Sequence, residues 1–300
     1  MFIHTPMQTS VLFYKTNFKK MLKQAMKPIP YIRASFRSDL PKRRKTDSKV
    51  QGGKVCVIAG SPGMWGAAVL AAQGASRCGA GYVFLFDPSK KNRSQHPDFL
   101  ASTESQLKKL KFSSAVLGPG YRNPKSIAKW IRHWRKIEQK NVILDAEALN
   151  WLALHPAQKL PADWILTPHE GEMSRLLNKS RNWVHAHRNE AVILAQKKWQ
   201  CIVVLKGAST LIANGKKLFK VVSGNPALGK AGSGDVLAGM IAAFLAQKPP
   251  KVSGLNAVCA ATFAHGWIAD NWLKNKKDVL SLRPTDILAE IPFALAVLRK

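Results

Sequence analysis

Residues 224–239 read GNPALGKAGSGDVLAG, a loop of small residues that ends in Gly-Ser-Gly-Asp. The apolar segment 236–247 follows at once and predicts a helix. Glycine lets a backbone approach a ligand closely, and a helix N-terminus offers unpaired N–H groups and a positive dipole end to an anion. Asp235 at this junction can act as a base on a hydroxyl group beside a phosphate. The stretch therefore predicts a phosphoryl-transfer site.

This stretch allows two other interpretations. Residues 224–230 follow the P-loop pattern G-x-x-x-x-G-K, but Ala231 stands where a P-loop needs a Ser or Thr hydroxyl for its metal, which excludes that motif. A glycine-rich turn that only caps a buried helix is the second alternative. The rest of the chain makes this alternative less attractive, because further glycine turns recur at regular positions.

Size and cysteine content limit the class of protein. The 300 residues, 46% of them hydrophobic, can bury a full core in one large domain or two small ones. No apolar run reaches the length of a membrane-spanning helix, so we expect no membrane insertion. The four cysteines are far apart and lack metal-ligand spacing, which predicts buried free thiols in a reducing compartment and a cytoplasmic location.

The charge is strongly positive, with 47 Lys and Arg against 17 Asp and Glu and a formal net charge of +30. Such a protein binds polyanions non-specifically, and an anionic small substrate would also benefit. The excess is spread along the chain without a dense stripe interleaved with aromatic residues. We therefore expect only non-specific contact with nucleic acid. A basic nucleic-acid binder is the rival class, and it would leave the glycine turns unexplained.

Residues 1–38 contain seven basic residues and no acidic residue. This composition resembles a transit peptide, but a basic extension, or an upstream start codon, is the favoured interpretation in a chain so basic throughout. Pro28 and Pro30 would break any helix there. We expect a poorly ordered basic extension over residues 1–38 that is dispensable for catalysis, and one domain over 39–300.

Strands and helices alternate from residue 53 onward. A β-branched run at 54–58 ends in a glycine turn, a small-residue helix follows over 67–78, and residues 82–86 form the next apolar strand. This alternation predicts a buried parallel sheet between helices over about 45–298, with ligands outside the carboxyl ends of the strands. Turn motifs fall at those ends and predict a cleft: Gly60-Ser61, Gly118-Pro119-Gly120, Asp145-Ala146-Glu147, Thr167-Pro168-His169 and Lys206-Gly207-Ala208.

Single residues in these turns allow two interpretations each. Residues 206–210 can cradle a nucleotide phosphate or form an ordinary hairpin turn. His169 by itself is more typical of a cap or a surface residue than of a ligand. Asp145 can orient a metal or a hydroxyl group, or cap a helix. His265 lies in an apolar helical segment and is interpreted as a structural histidine.

An ordered series of motifs resembles the NAD(P)H-hydrate dehydratase family. The resemblance covers about residues 40–298 and rests on residues 48–53, 59–61, 66–68, 79–81, 118–120, 145–150, 166–172, 206–210, 224–239, 265–266 and 284–288. It implies a ribokinase-like three-layer α/β/α sandwich with a mostly parallel central sheet. Ala231, Glu147 and Tyr121-Arg122 depart from the family pattern, which leaves the fine geometry of the cleft open.

The resemblance implies repair of hydrated NADH or NADPH at the expense of a nucleotide. Asp235 would take the hydroxyl proton, and the amides around Gly232 and Gly234 would stabilise the moving phosphoryl group. Mg²⁺ would bridge the phosphates, and no residue is assigned as its ligand. The nucleotide, ADP or ATP with ADP favoured, would contact Lys206, Gly207, Ala208, Ser209, Thr210 and Gly234. The hydrated dinucleotide would contact Ala67, Gly120, His169 and Asp235.

The family further implies a homotetramer, and the short extension before the domain suggests a stand-alone dehydratase. A ribokinase-fold kinase of a small alcohol, such as a hydroxyethylthiazole-type vitamin precursor, is the alternative. It would share the Gly-Asp base but release a stable phosphorylated product.

Overall fold

The computed structural model describes residues 27–86, 96–247 and 252–300, and ten strands in these ranges form one sheet. The strands are β1 (Ile29–Tyr31), β2 (Lys54–Ile58), β3 (Tyr82–Phe86), β4 (Leu100–Ser102), β5 (Ser114–Leu117), β6 (Val142–Leu144), β7 (Ile165–Leu166), β8 (Ile202–Leu205), β9 (Leu211–Ala213) and β10 (Leu218–Val221). Their order is β1-β10-β9-β8-β7-β6-β5-β2-β3-β4. Every neighbouring pair is parallel except the two that involve β9. The predicted mostly parallel sheet is confirmed.

Helices cover both faces of the sheet. They are α1 (Arg33–Asp39), α2 (Trp65–Arg77), α3 (Glu104–Lys108), α4 (Pro124–Lys136), α5 (Glu147–Leu154), α6 (Glu170–Leu177), α7 (Arg181–Ala186), α8 (Arg188–Trp199), α9 (Ser233–Ala246), α10 (Gly254–Lys274) and α11 (Pro284–Arg299). One core lies between the sheet and α1, α2, α9, α10 and α11, and a second core lies under α3 to α8. Along β5, Val116 faces the first core while Ala115 and Leu117 face the second. This double burial explains the continuous apolar runs of the strands.

Small residues bring α9 close to α2. A Cβ atom added to Gly239 would lie 2.0 Å from the Ala71 carbonyl oxygen, and one added to Gly74 would lie 2.6 Å from the Val236 carbonyl oxygen. Only glycine fits both positions, because a side chain would force the two helices apart. The close packing fixes where the N-terminus of α9 meets the sheet.

The N-terminal boundary differs from the expected one. β1 pairs in parallel with β10, and Tyr31 and Phe36 are almost completely buried. The Tyr31 hydroxyl donates a hydrogen bond to Asp39 at 2.8 Å. The expectation of a poorly ordered extension is therefore wrong for residues 29–38, because these apolar side chains cover the edge and one face of the sheet. Residues 1–26 lie outside the described residues.

Two further expectations concern the state of the cysteines and the presence of a membrane-spanning helix. Cys56, Cys78, Cys201 and Cys259 are free and buried, as predicted, and burial raises the pKa of each thiol. Among the described residues, no helix combines the length and the apolar character that crossing a bilayer requires.

Candidate active site

The predicted turns meet at one edge of the sheet, where the parallel strands end. The Gly60 amide donates to the Pro119 carbonyl at 2.8 Å, and the Lys206 amide donates to the Pro168 carbonyl at 2.8 Å. Gly118 has a φ of +122°, and a Cβ atom there would lie 1.9 Å from the Asp145 carbonyl oxygen. Direct backbone contacts thus join turns that are distant in sequence.

The N-terminus of α9 opens into this cleft. Gly232 precedes the helix with a φ of +95°, a left-handed conformation that favours glycine, and a Cβ atom there would also collide with Leu70 and Pro284. Within the described part of the chain, the amides of Gly234 and Asp235 have no hydrogen-bond partner, as expected for a first helical turn. They offer two donors to an anion.

Helix α10 holds the loop that leads to α9. Asp270 accepts hydrogen bonds from the Gly224 amide at 2.9 Å and from the Asn225 side chain at 3.0 Å. His265 lies 3.3 Å from the Ser233 hydroxyl through Nε2. Burial lowers the pKa of His265 to about 4, so this imidazole is neutral at physiological pH. Its buried position agrees with the structural role predicted for it.

A buried charge cluster lies next to this helix end. The Lys206 ammonium is 2.8 Å from Asp145 Oδ1 and 3.9 Å from Glu172 Oε2. Thr167 donates to the same Asp145 oxygen at 2.8 Å. A Cβ atom added to Gly234 would lie 3.3 Å from Lys206 Nζ, which places the ammonium beside the first turn of α9. The Lys206 side chain is thus directed into an acidic cluster at the centre of the cleft.

The electrostatics of this cluster act on Asp235. The pKa of Asp235 is raised to about 7, first by burial and then by the negative charges of Asp145 and Glu172, while the Lys206 ammonium partly offsets these effects. Burial also raises the pKa of Glu172. Burial lowers the pKa of Lys206, but the surrounding carboxylates outweigh this effect and leave it above its ordinary value. A carboxylate that titrates near neutral pH can both accept and return a proton.

His169 caps α6, which is one of the two roles the sequence allowed. Its Nδ1 accepts hydrogen bonds from the Gly171 and Glu172 amides at 2.9 and 3.3 Å, and its own amide donates to Glu172 Oε2 at 2.8 Å. Burial and the neighbouring cations Lys206 and Arg175 lower the pKa of His169. Since Nδ1 is an acceptor, the neutral ring carries its proton on Nε2 and can donate from that atom.

The turn over residues 206–210 depends on an arginine that sequence reasoning missed. Arg188 donates to the carbonyls of Leu205 and Lys206 at 3.2 and 3.4 Å, and its guanidinium pairs with Glu170 at 2.5 Å. Gly207 has a φ of +131°, and a Cβ atom there would lie 2.9 Å from Nη1 of the same guanidinium. The only sequence signal for this contact is a basic residue at the start of α8. Such residues are too common to identify Arg188 as a support of the turn.

Two of the residues that the resemblance implies for the dinucleotide are neighbours. A Cβ atom added to Gly120 would lie 3.1 Å from the Ala67 Cβ, and Gly120 has a φ of +60°. His169 precedes α6 and Asp235 lies in the first turn of α9. The Glu172 carboxylate accepts a hydrogen bond from the His169 amide and raises the pKa of Asp235, so it lies near both residues. Within residues 27–86, 96–247 and 252–300, no three His, Cys, Asp or Glu side chains form a group that could hold a metal.

Comparisons with known proteins agree on one family. A family profile described as NAD(P)H-hydrate dehydratase matches residues 55–293. A bifunctional NAD(P)H-hydrate repair enzyme from Coxiella burnetii is 36% identical over 248 residues, which are 77% of this chain and 48% of the relative. The chain thus spans about half the length of this bifunctional relative.

Two further proteins match over most of their own length. An ADP-dependent (S)-NAD(P)H-hydrate dehydratase from Neisseria meningitidis is 35% identical over 76% of this chain and 80% of that protein. The crystal structure of an ADP/ATP-dependent NAD(P)H-hydrate dehydratase from Bacillus subtilis, co-crystallised with ATP and Mg²⁺, superposes with a TM-score of 0.81. It is 27% identical and covers 91% of this chain and 100% of its own, which confirms the ribokinase-like fold. By its sequence and its fold, the chain belongs to the NAD(P)H-hydrate dehydratase family.

Proposed function

We propose that this chain dehydrates hydrated NADH and NADPH at the expense of a nucleotide, with ADP converted to AMP and phosphate. One observation carries the proposal: Asp235, with a pKa of about 7, lies at the open N-terminus of α9 in a cleft that also holds the Lys206 ammonium. A base of this pKa is half ionised at neutral pH. The amides beside it bind the kind of charge that develops on a transferring phosphoryl group.

The reaction proceeds in two stages. Asp235 accepts the proton of the hydroxyl group on the hydrated nicotinamide ring, and the hydroxyl oxygen forms a bond to the terminal phosphorus of ADP. The bond between that phosphorus and its bridging oxygen breaks, which releases AMP. In the second stage the carbon–oxygen bond breaks, phosphate leaves, and loss of a ring proton restores the double bond of NADH. The free amides of Gly234 and Asp235 stabilise the phosphoryl oxygens.

The two ligands take opposite sides of Asp235. We assign the nucleotide to the turn that follows β8, with contacts from Lys206, Gly207, Ala208, Ser209, Thr210 and Gly234. We assign the hydrated dinucleotide to the turns after β2, β5 and β7, with contacts from Ala67, Gly120, His169 and Asp235. The contact between Gly120 and Ala67 and the Nε2–H of His169 support the second assignment.

Mg²⁺ fits the donor chemistry of the cleft. Asp145 and Glu172 supply carboxylate oxygens, and Mg²⁺ is usually held by one or two carboxylates together with substrate phosphates. These two side chains would hold the ion with the nucleotide phosphates, where it would neutralise negative charge. Lys206, which pairs with both carboxylates, then keeps the cluster from repelling the phosphates.

One assay tests the function. The protein is incubated with hydrated NADH, Mg²⁺ and either ADP or ATP, and recovery of the reduced-nicotinamide absorbance is followed. Asp235→Asn is expected to lower kcat about 10²–10⁴-fold with the fold retained. More than about a tenth of the wild-type kcat in that variant would remove Asp235 from the base role. A stable phosphorylated alcohol in place of NADH would support the kinase alternative.

We also propose an oligomeric state, a cellular location and a mode of contact with nucleic acid. A homotetramer is supported by the family resemblance and by exposed apolar side chains such as Leu280 and Phe293. The four free buried thiols favour a cytoplasmic location. The net charge of +30 supports non-specific contact with nucleic acid, which should weaken steeply with salt. Sedimentation of the purified protein tests the homotetramer. Elution from heparin before and after removal of residues 1–26 tests the contact with polyanions. The removal should leave kcat unchanged.

A further inference from the structure

Helix α4 carries a row of four cations on its exposed face. Lys125, Lys129, Arg132 and Lys136 are all exposed, and their spacing along the sequence places them on one side of an α-helix. At about 1.5 Å per residue, the row is about 16 Å long. Positive charge that is spread along the sequence is therefore dense on this one surface, which we call the α4 row.

No carboxylate neutralises the α4 row within the described part of the chain. The helix itself contains no Asp or Glu, and none of the four side chains takes part in an ion pair or a hydrogen bond there. Burial and then the ammonium of Lys108 lower the pKa of His133 on the same helix. Glu104 opposes this effect and Lys136 adds to it. The electrostatic potential along α4 is therefore positive.

A second basic run differs from the α4 row in its contacts. Residues 42–45 read KRRK and are equally basic. However, Arg43 donates to the Gly79 carbonyl at 2.9 Å, and Arg44 pairs with Asp47 at 3.1 Å. Two of these four cations are thus engaged within the protein, whereas all four cations of the α4 row are open to a partner.

The geometry of the α4 row fits the phosphate backbone of a nucleic-acid duplex. Along one strand of a duplex the phosphates follow one another every 3.4 Å of axis, so the row spans about five of them. The opposite face of α4, with Ile127, Trp130 and Trp134, is buried in the core under the sheet. The helix therefore cannot enter a groove deeply, and its cations contact phosphates without reading bases.

Two other polyanions fit the helix less well. Proteins that bind single strands combine a basic groove with exposed aromatic side chains, whereas α4 is convex and its two tryptophans are buried. An amphipathic helix that binds a bilayer inserts its apolar face, but the apolar face of α4 packs into the protein core. A duplex, held by its phosphates alone, needs neither feature.

We propose that the α4 row is the surface through which this protein holds duplex nucleic acid, without sequence selectivity. The inference rests on the contact with nucleic acid proposed above and assigns that contact to one surface instead of to the net charge. It does not depend on the dehydration reaction.

The test compares two variants of equal net charge in the full chain. One variant replaces all four cations of the α4 row with glutamine. The control replaces four exposed lysines of α8, β10 and the turn before β10 with glutamine: Lys197, Lys216, Lys217 and Lys220. Each variant lowers the formal charge from +30 to +26. Binding of a fluorescent DNA duplex of random sequence is measured by anisotropy from about 50 to about 200 mM salt.

The α4 variant should bind at least about tenfold more weakly at low salt. Its slope of log Kd against log salt should fall by about 3–4, as expected for four lost phosphate contacts. The control should change this slope by less than about one. The double variant Lys129→Gln/Arg132→Gln should lose about half as much slope as the α4 variant, which keeps the test decisive if the fourfold variant is unstable.

The outcomes separate this inference from the proposals around it. Equal losses in the α4 variant and the control would overturn the surface and leave a contact that is spread over the molecule. Absence of binding by the wild type would reject the contact as well. Tighter binding to single-stranded DNA, or to vesicles of phosphatidylserine and phosphatidylcholine, would overturn the choice of a duplex. Recovery of NADH by the wild type is measured separately, and its failure would reject only the dehydration.

Discussion

Removing the charge of Asp145 should move the acid limb of the rate profile, the side on which activity falls as pH is lowered. Asp235 must be ionised to accept a proton, and its pKa is about 7 because of burial and then the charges of Asp145 and Glu172. Asp145→Asn removes one of these charges. It also frees the Lys206 ammonium from an anionic partner 2.8 Å away. Both changes lower the pKa of Asp235.

The magnitude follows from the size of such charge effects, which is about one to three pKa units for a close charge. A shift of about one unit raises the ionised fraction of Asp235 at pH 6 from about a tenth to about a half. Relative to its plateau, kcat/KM at pH 6 should therefore rise about fivefold. Asn retains an oxygen that can accept the hydrogen bond of Thr167, so the local fold should persist.

The measurement is kcat/KM for hydrated NADH between pH 5.5 and 9 at fixed, saturating concentrations of nucleotide and Mg²⁺, because Asp145 is also a proposed Mg²⁺ ligand. Asp163→Asn, at the amino end of β7 and thus at the opposite edge of the sheet, is the matched control and should leave the acid limb in place. An acid limb that stays unchanged in Asp145→Asn, or that moves to higher pH, would refute the charge explanation for Asp235.

Three further changes have defined outcomes. Lys206→Met leaves the buried Asp145 charge unpaired. The acid limb should therefore move to higher pH, which the pH profile measures, and the free energy of unfolding should fall by about 3–5 kcal/mol, which urea titration measures. Phe36→Ala should cost about 3–5 kcal/mol of stability in the same titration, and a loss under 1 kcal/mol would mean that α1 is not part of the core. Gly239→Ala should destabilise by about 1–3 kcal/mol because its Cβ meets the Ala71 carbonyl, whereas Gly66→Ala, with open space around it, should not lower the melting temperature.

The parts of the fold that local pattern can reveal were predicted from the sequence. The apolar strands at 54–58 and 82–86 and the glycine turn after the first of them stand out because burial on both faces and tight turns restrict residue type. β1 and α1 were missed, since the basic composition and Pro28 and Pro30 concealed the apolar side chains of Tyr31 and Phe36. Their burial depends on β10 and α10, which no local window contains.

In the candidate active site, too, the features encoded by local sequence were predicted and those that depend on distant residues were not. Asp235 at the head of α9 was predicted because the Gly-Ser-Gly-Asp sequence itself encodes the loop and the helix start. The direction of the Lys206 side chain was not predicted, because Asp145 and Glu172 on other turns determine it. Arg188 was not predicted for a similar reason. Its partners are one carboxylate and two carbonyl oxygens that only the folded chain brings together.

The pairing of β1 with β10 also has a consequence for synthesis on the ribosome. Ile29 pairs with Phe219, about 190 residues further along the chain, and the Tyr31 ring contacts the rings of Phe219 and Phe263. At about 5–20 residues per second, these partners are made roughly 10–40 s after Tyr31 and Phe36. During that interval the two aromatic side chains lack their native neighbours and are open to chaperones and proteases. A segment that is translated early is thus among the last to reach its native contacts.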